Sequence, residues 1–359
     1  MSSVRERVES FCRRFGLEVP ILLAPMAGAS TPALSIAVMN AGGSGACGAL
    51  LMQPDEITAW AEQVRTNGNG QYQLNLWIPD PPALRDAGNE ARLKTFLSGW
   101  GPTPPEDAAD ATVPDFDAQC AALLNADPPI ASSVMGLYPA TFVDKLKDAG
   151  IAWFATVSTV AEAQAAEAAG ADVIVAQGME AGGHRGCFDA SQAERRLIGS
   201  FALIPAVADT VELPVVATGG IADARGVAAA LMLGASAVQI GSAFLRCPEA
   251  GIHPAWAEAL ARLAPEDTVI TRVFSGRAGR SVATDYVCAA TADTAPPPAP
   301  YPIQRALTAA MRAEALRTGD AERMQAWAGQ SSRLGRTEPA NQLVARVWSE
   351  ALTLLKQDR

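Results

Sequence analysis

Histidine is nearly missing from this sequence: among 359 residues there are two, His184 and His253, so a His-rich metal centre is excluded by count. The six cysteines (Cys12, Cys47, Cys120, Cys187, Cys247 and Cys288) are scattered, with no C-x-x-C pair. In a chain this long they read as reduced thiols of a cytoplasmic protein, neither a disulfide frame nor a zinc site. Positive charge is in the minority, with 28 Lys and Arg against 38 Asp and Glu and a net charge of −10. No basic run interrupts that balance, which argues against a nucleic-acid or anionic-membrane surface. No stretch approaches about 18 apolar residues, so no membrane span is expected, and the charged, amphipathic start MSSVRERVESFCRRFG has no signal-peptide core. Two common catalytic signatures are missing as well, the G-x-x-x-x-G-K phosphate loop and the G-x-S-x-G elbow.

What is present is apolar and periodic. Hydrophobic residues make up 49% of the chain, ample for a large core. Strands are expected at Ile21–Met26, Ser44–Leu50, Tyr72–Ile78, Ile130–Met135, Ala152–Val157, Asp172–Gln177, Pro214–Thr218 and Ala237–Phe244. Helical patterns separate them, among them Pro32–Ala41, Asp55–Arg65, Pro139–Ala149, Val160–Ala169 and Asp223–Leu233. Many of the strand runs are apolar on both faces, as a parallel sheet covered by helices requires. Eight such units in a row predict an α/β fold, a (β/α)8 TIM barrel, over residues 1–245. A proline-rich stretch, Pro79–Pro114, reads as an insertion into that barrel. Residues 246–359 follow as a mostly helical cap and substrate-binding region, entered through the stiff linker Asp293–Pro302. Within it, helices are expected at Ile303–Arg317, Ala321–Ala328 and Pro339–Lys356.

Five segments carry candidate chemistry. In ADVIVAQGMEAGGHRG (Ala171–Gly186) a buried strand ends at Gln177 and runs into Gly182-Gly183-His184. Such a loop faces the mouth of a barrel, and an ordinary imidazole value of about 6.5 suits proton transfer at neutral pH. An isolated loop histidine is more often structural; the glycines and the strand-end position favour a site. His253 has neither and is expected to be structural. The Gly219-Gly220 turn in PVVATGGIADARG and the run Gln239-Ile240-Gly241-Ser242 close the seventh and eighth strands, where barrels most often bind a phosphate. Pro25-Met26 ends the first strand, and Asn75 interrupts the apolar third, as an amide either satisfied internally or reading a polar heterocycle edge. Gly43-Ser44-Gly45-Ala46-Cys47-Gly48 matches G-x-G-x-x-G, but it follows a helix and enters a strand, so it reads as a close-packed connection.

The blocks APMAG, QLNLW, GMEAGGHRG, ATGGIAD and QIGSAF, with the late WAGQ (Trp327–Gln330), together resemble the nitronate monooxygenases, class I bacterial type, formerly called 2-nitropropane dioxygenases. The EAGGH block is shared with FMN-dependent enoyl-acyl-carrier-protein reductases and NADH:quinone reductases of the same fold. The resemblance implies non-covalent FMN, with contacts at Asn75, Gln177, Gly182, Gly219 and Gln239 to Ser242; Pro25, Met26, Gly183 and Gly220 join them on position. It makes His184 the catalytic residue, either a base for a neutral nitroalkane or, for a nitronate, the group that positions the anion; positioning is favoured for a nitronate-specific enzyme. Ser242 replaces a common Thr and keeps the hydroxyl. In the cap, Tyr301 and Arg305 are the candidate substrate contacts, with Arg305 and Arg312 where some members carry Tyr and Lys. The implied reaction is oxidation of alkyl nitronates, such as propionate 3-nitronate, by O2 to a carbonyl compound and nitrite or nitrate. The alternatives are an NAD(P)H-dependent reductase of a quinone or enoyl thioester, and a flavin-binding protein without turnover. The expected partners are a small-molecule substrate and O2, with the oligomeric state open between monomer and homodimer.

Overall fold

The computed structural model describes residues 3–110 and 112–356. The outermost ends of the two expected regions and position 111 of the insertion lie outside the described residues. Eleven strands are formed among these residues: β1 (Ile21–Leu23), β2 (Gly45–Gly48), β3 (Tyr72–Trp77), β4 (Ile130–Val134), β5 (Ala152–Val157), β6 (Val173–Gln177), β7 (Gly183–His184), β8 (Val215–Thr218), β9 (Ala237–Ile240), β10 (Thr268–Thr271) and β11 (Gly279–Val282). Eight of them build one parallel sheet in the order β1-β9-β8-β6-β5-β4-β3-β2, and a parallel bridge from Leu22 to Ser44 closes it. This is the (β/α)8 barrel. Its strands are buried almost throughout, which is why the sequence shows continuous apolar runs rather than alternation.

Local chemistry fixes where the covering helices begin. Thr31 accepts from Leu34 N at 3.0 Å to start Pro32–Met39, Thr159 caps Val160–Ala168, and Asp223 accepts from Arg225 N and Gly226 N to open Ala224–Met232. The N-terminal helix Val4–Arg14 buries Phe11, and Phe15 just beyond it stacks edge-on against Phe154 of β5 at 5.0 Å. The glycines of the G-x-G-x-x-G match at Gly43–Gly48 are packing glycines, as expected: a Cβ at Gly48 would stand 2.7 Å from Ala27 N, and one at Gly43 2.5 Å from Ile21 O.

Several boundaries differ from expectation, each for a physical reason. The eighth barrel strand stops at Ile240, because the chain turns at Gly241 into a 3-10 helix, Ser242–Arg246, that stays apolar and buried. The helix expected over Ile303–Arg317 is two, Ile303–Leu307 and Ala309–Thr318, parted at Thr308, whose hydroxyl donates to Phe274 O at 2.7 Å. Ala321–Ala328 is not a helix. Only Ala321–Arg323 turns, and the chain then runs extended beside β11, with Trp327 bridging to Ser281. The last helix, Ala340–Lys356, does not lie over the mouth: Leu343, Val344, Val347 and Ala351 join the barrel core, and it packs against Pro32–Met39 and Ala224–Met232 as a barrel helix. The insertion forms the helix Ala87–Leu97, whose Leu93 and Leu97 share a separate core with Phe274, Tyr286, Ile303, Leu307 and Met311. No helix among the described residues is long and apolar enough to cross a membrane.

Candidate active site

The C-terminal ends of the barrel strands open into a cavity of about 270 Å³. Pro25, Met26, Asn75, Gln177, Gly182, Gly183, His184, Gly219, Gly220, Gln239, Gly241, Ser242 and Arg305 all line it, gathered from segments up to 280 residues apart. Two expected residues do not. Ile240 is fully buried in the barrel core, because alternate residues of a strand point to opposite faces. Tyr301 stacks on Trp77 at 4.8 Å and 19° and is not at the cavity wall; its hydroxyl is buried with no hydrogen-bond partner among the described residues.

The phosphate-type cradle is built from backbone. Gly219 has φ +105 and Gly220 φ +72, conformations that only glycine adopts without strain. The N–H groups of Gly219, Gly220 and Gly241 have no acceptor among the described residues. Three unengaged donors on one wall are what an anionic oxygen cluster would satisfy. Ser242 Oγ accepts from Gly329 N at 2.9 Å, and its own hydrogen stays available. Gly182 completes the cradle at its tightest point, where a Cβ would lie 2.4 Å from Gly329 N. These residues fit a group that carries a phosphate.

Amides line the barrel interior. Gln73 Nε2 crosses to Leu23 O (3.1 Å) and Gln239 Oε1 (3.0 Å), leaving the Gln239 amide nitrogen its donors. Asn75 Nδ2 donates to Ser132 Oγ at 3.0 Å and keeps a second hydrogen and its oxygen. Gln177 is different: Nε2 donates to His184 O (3.1 Å) and Oε1 accepts from Gly186 N (2.8 Å). Its amide therefore ties down the His184 loop. Arg185 assists from below, fully buried and donating to Gly178 O at 2.7 Å.

His184 sits in β7, which pairs with β11 rather than with the barrel. Its ring lies between Trp77 and Trp327, 4.8 Å from each, and Nε2 is 2.8 Å from Ser275 Oγ. Burial, reinforced by the positive charges of Arg277 and Arg305, pushes its pKa down to about 3. The imidazole is neutral at physiological pH, well away from its ordinary value. Arg277 is spoken for, at 3.0 Å from Asp80. Arg305 lines the cavity; Tyr301 is its electrostatic neighbour, and its guanidinium has no hydrogen-bond or carboxylate partner among the described residues. Gln304 and Thr308, on either side of it, donate to Val273 O and Phe274 O and so fix its helix to the β10–β11 loop.

Sequence reasoning missed Trp77, Trp327, Ser275 and Arg277. Trp77 and Trp327 stood inside noticed blocks, but only the fold shows that they flank one imidazole. Ser275 and Arg277 belong to a hairpin loop about 90 residues from His184, with no periodicity to announce them. His253 is structural as expected, its Nδ1 accepting from Ala255 N at 3.1 Å to cap the helix Pro254–Arg262. No His/Cys/Asp/Glu cluster that could hold a metal occurs among the described residues.

A family model described as nitronate monooxygenase matches residues 10–350. The chain is 39% identical over 350 residues to a nitronate monooxygenase of Paraburkholderia phytofirmans, spanning 96% of this chain and 95% of that one. It is 37% identical over 347 residues to a nitronate monooxygenase of Pseudomonas aeruginosa, spanning 95% and 99%. Among solved structures, a nitroalkane oxidase from Streptomyces ansochromogenes superposes with a TM-score of 0.89 at 34% identity, covering 96% of this chain and 98% of that one. FabK from Thermotoga maritima follows at 0.75 and 26%, covering 98% of each. The barrel, its strand-end cavity and these likenesses converge: the chain is an oxidoreductase of the nitronate monooxygenase family.

Proposed function

We propose that this protein oxidises alkyl nitronates, propionate 3-nitronate among them, with O2, either taking the nitronate directly or forming it in the site from the neutral nitroalkane. The carbonyl compound and nitrite or nitrate are the products. The observation that carries the reading is a neutral His184 held between two tryptophans, beside an Arg305 that has no carboxylate partner among the described residues, in one cavity with a backbone cradle for a phosphate.

FMN would be held with its phosphate on the N–H groups of Gly219, Gly220 and Gly241 and the hydroxyl of Ser242, with Gly182 and Gly183 alongside. The amides of Asn75 and Gln239, with Pro25 and Met26, would meet the ring system. When bound, FMN supplies the redox chemistry that no side chain of the cavity can provide. The protein's own tasks are then three. Arg305 matches the charge of the nitronate, at short range and away from bulk water, where such a pairing is stronger than at a surface. Trp77 and Trp327 wall the reacting volume and limit water. His184 removes a proton when the substrate arrives as the neutral nitroalkane: its ring is neutral with a free lone pair, and the negative charge that develops on the nitro group beside it would raise its proton affinity above that of the empty site, where burial and two arginines hold it down.

An aerobic screen beside an absorbance spectrum tests the reading. Oxygen uptake with a preformed nitronate and no NADH, from a protein whose acid-released cofactor is FMN, supports it. Rapid NADH oxidation with a quinone or enoyl thioester, and none of that uptake, would move the assignment to the reductase alternative. A yellow protein silent toward both sets would be the flavin-binding protein without turnover.

A further inference from the structure

Ser275 holds the key to which nitrogen of His184 the cavity sees. Its Oγ has three neighbours: His184 Nε2 at 2.8 Å, Arg277 O at 3.2 Å and Arg277 N at 3.3 Å. A serine hydroxyl has one hydrogen to give and two lone pairs to receive. If that hydrogen went to His184, the Arg277 carbonyl would have no donor among the described residues, in a residue only 3% exposed. A buried carbonyl left so is costly, about 1–3 kcal/mol. If instead it goes to Arg277 O, every group is satisfied. The Arg277 N–H and the imidazole then both donate to Oγ, and the imidazole must carry its hydrogen on Nε2.

We propose that Ser275 is a positioning residue that fixes His184 as the Nε2–H tautomer, so that the atom presented to the cavity is Nδ1 with a bare lone pair. Nδ1 has no protein partner among the described residues, and the ring lines the cavity. The loop that carries Ser275 is itself held from outside, by Gln304 on Val273 O and Thr308 on Phe274 O. The tautomer is thereby set by the cap, which also carries Arg305. The consequence rests on the function proposed above. A bare Nδ1 is an acceptor, so it repels a nitronate oxygen but can take the α-proton of a neutral nitroalkane: the C–H bond breaks, the proton joins Nδ1, and the electron pair moves into the nitro group to give the nitronate. The anion is then left to Arg305. This reverses the positioning role that the sequence favoured for His184.

The test reads the tautomer directly and needs no turnover. The chain has only two histidines, so long-range proton–nitrogen NMR of FMN-loaded protein labelled with nitrogen-15 histidine shows two imidazoles. His253→Ser, which keeps a capping side chain, identifies which is which. At neutral pH the His184 Nδ1 resonance is expected in the unprotonated range and Nε2 in the protonated range. Ser275→Ala should shift both toward values averaged between the tautomers, and Ser275→Thr should restore them. A wild-type protein with hydrogen on Nδ1, or an alanine variant with the wild-type resonances, would overturn the proposal while leaving the substrate assignment standing.

Discussion

Replacing Gly182 by alanine is the sharpest test of the cradle, because the obstruction lies in the protein and its size follows from the structure. The added Cβ would fall 2.4 Å from Gly329 N and 2.6 Å from Ala328 C, both backbone atoms that no side-chain rotation can move. The segment through Ala328–Gln330 must retreat by about 1 Å to reach ordinary van der Waals separation. That retreat pulls Gly329 N from Ser242 Oγ, now 2.9 Å away. Overpacking of this kind costs about 1–3 kcal/mol, and the lost hydrogen bond about 0.5–1.5 kcal/mol. Because the displaced atoms belong to the wall proposed to hold the phosphate, part of that total, about 1.4 kcal/mol, is expected to appear as weaker FMN binding, or about tenfold in the dissociation constant. The assay is titration of apoprotein with FMN, followed by flavin fluorescence, with the melting temperature recorded alongside. A Gly182→Ala protein that binds FMN as tightly as wild type and melts at the same temperature would refute the reasoning.

Other substitutions separate the remaining roles. Gly219→Asp should weaken FMN retention more than Gly182→Ala, since it forces a side chain into a position with φ +105 and adds a negative charge at the cradle; flavin content after gel filtration measures it. Arg305→Ala should lower kcat/KM for a preformed nitronate about tenfold or more with flavin content unchanged, as expected for a lost charge-assisted contact, and Arg305→Lys should recover part of it. Lowering the pH should destabilise the fold through His184. Its folded pKa, about 3, lies below the ordinary value of about 6.5, so between the two the unfolded chain takes a proton that the folded one refuses. Stability is then fully retained above about 6.5 and lost toward 3, by at most about 1.4 kcal/mol per pH unit. His184→Asn should flatten that part of the melting-temperature profile. Parallel profiles for the two proteins would contradict the burial argument.

How much of this was legible in the sequence depended on distance along the chain. The barrel strands were, because burial on both faces writes a local apolar run, and the glycines of Gly219-Gly220 and Gly241 stand where strand meets turn. The end of β9 was overrun because Ala243, Phe244 and Leu245 remain buried in a 3-10 turn, so the apolar signal outlasts the strand. The last helix was assigned to the cap on its position in the chain, although its apolar stripe belongs to the barrel. Within the site, Gln177 was noticed for its amide, yet the amide turned out to serve the His184 loop. Ser275 and Trp327 reach His184 only through the pairing of β7, β11 and the extended strand beside it, contacts that leave no trace in any short window.

The measurement that bears most directly on the account is oxygen uptake by His184→Asn with FMN bound, run once with a neutral nitroalkane and once with the matching preformed nitronate. The account predicts that the nitroalkane rate falls by about 10²–10⁴-fold, the usual cost of removing a base, while the nitronate rate is largely kept. Wild-type rates on both substrates would contradict it and return His184 to a structural role.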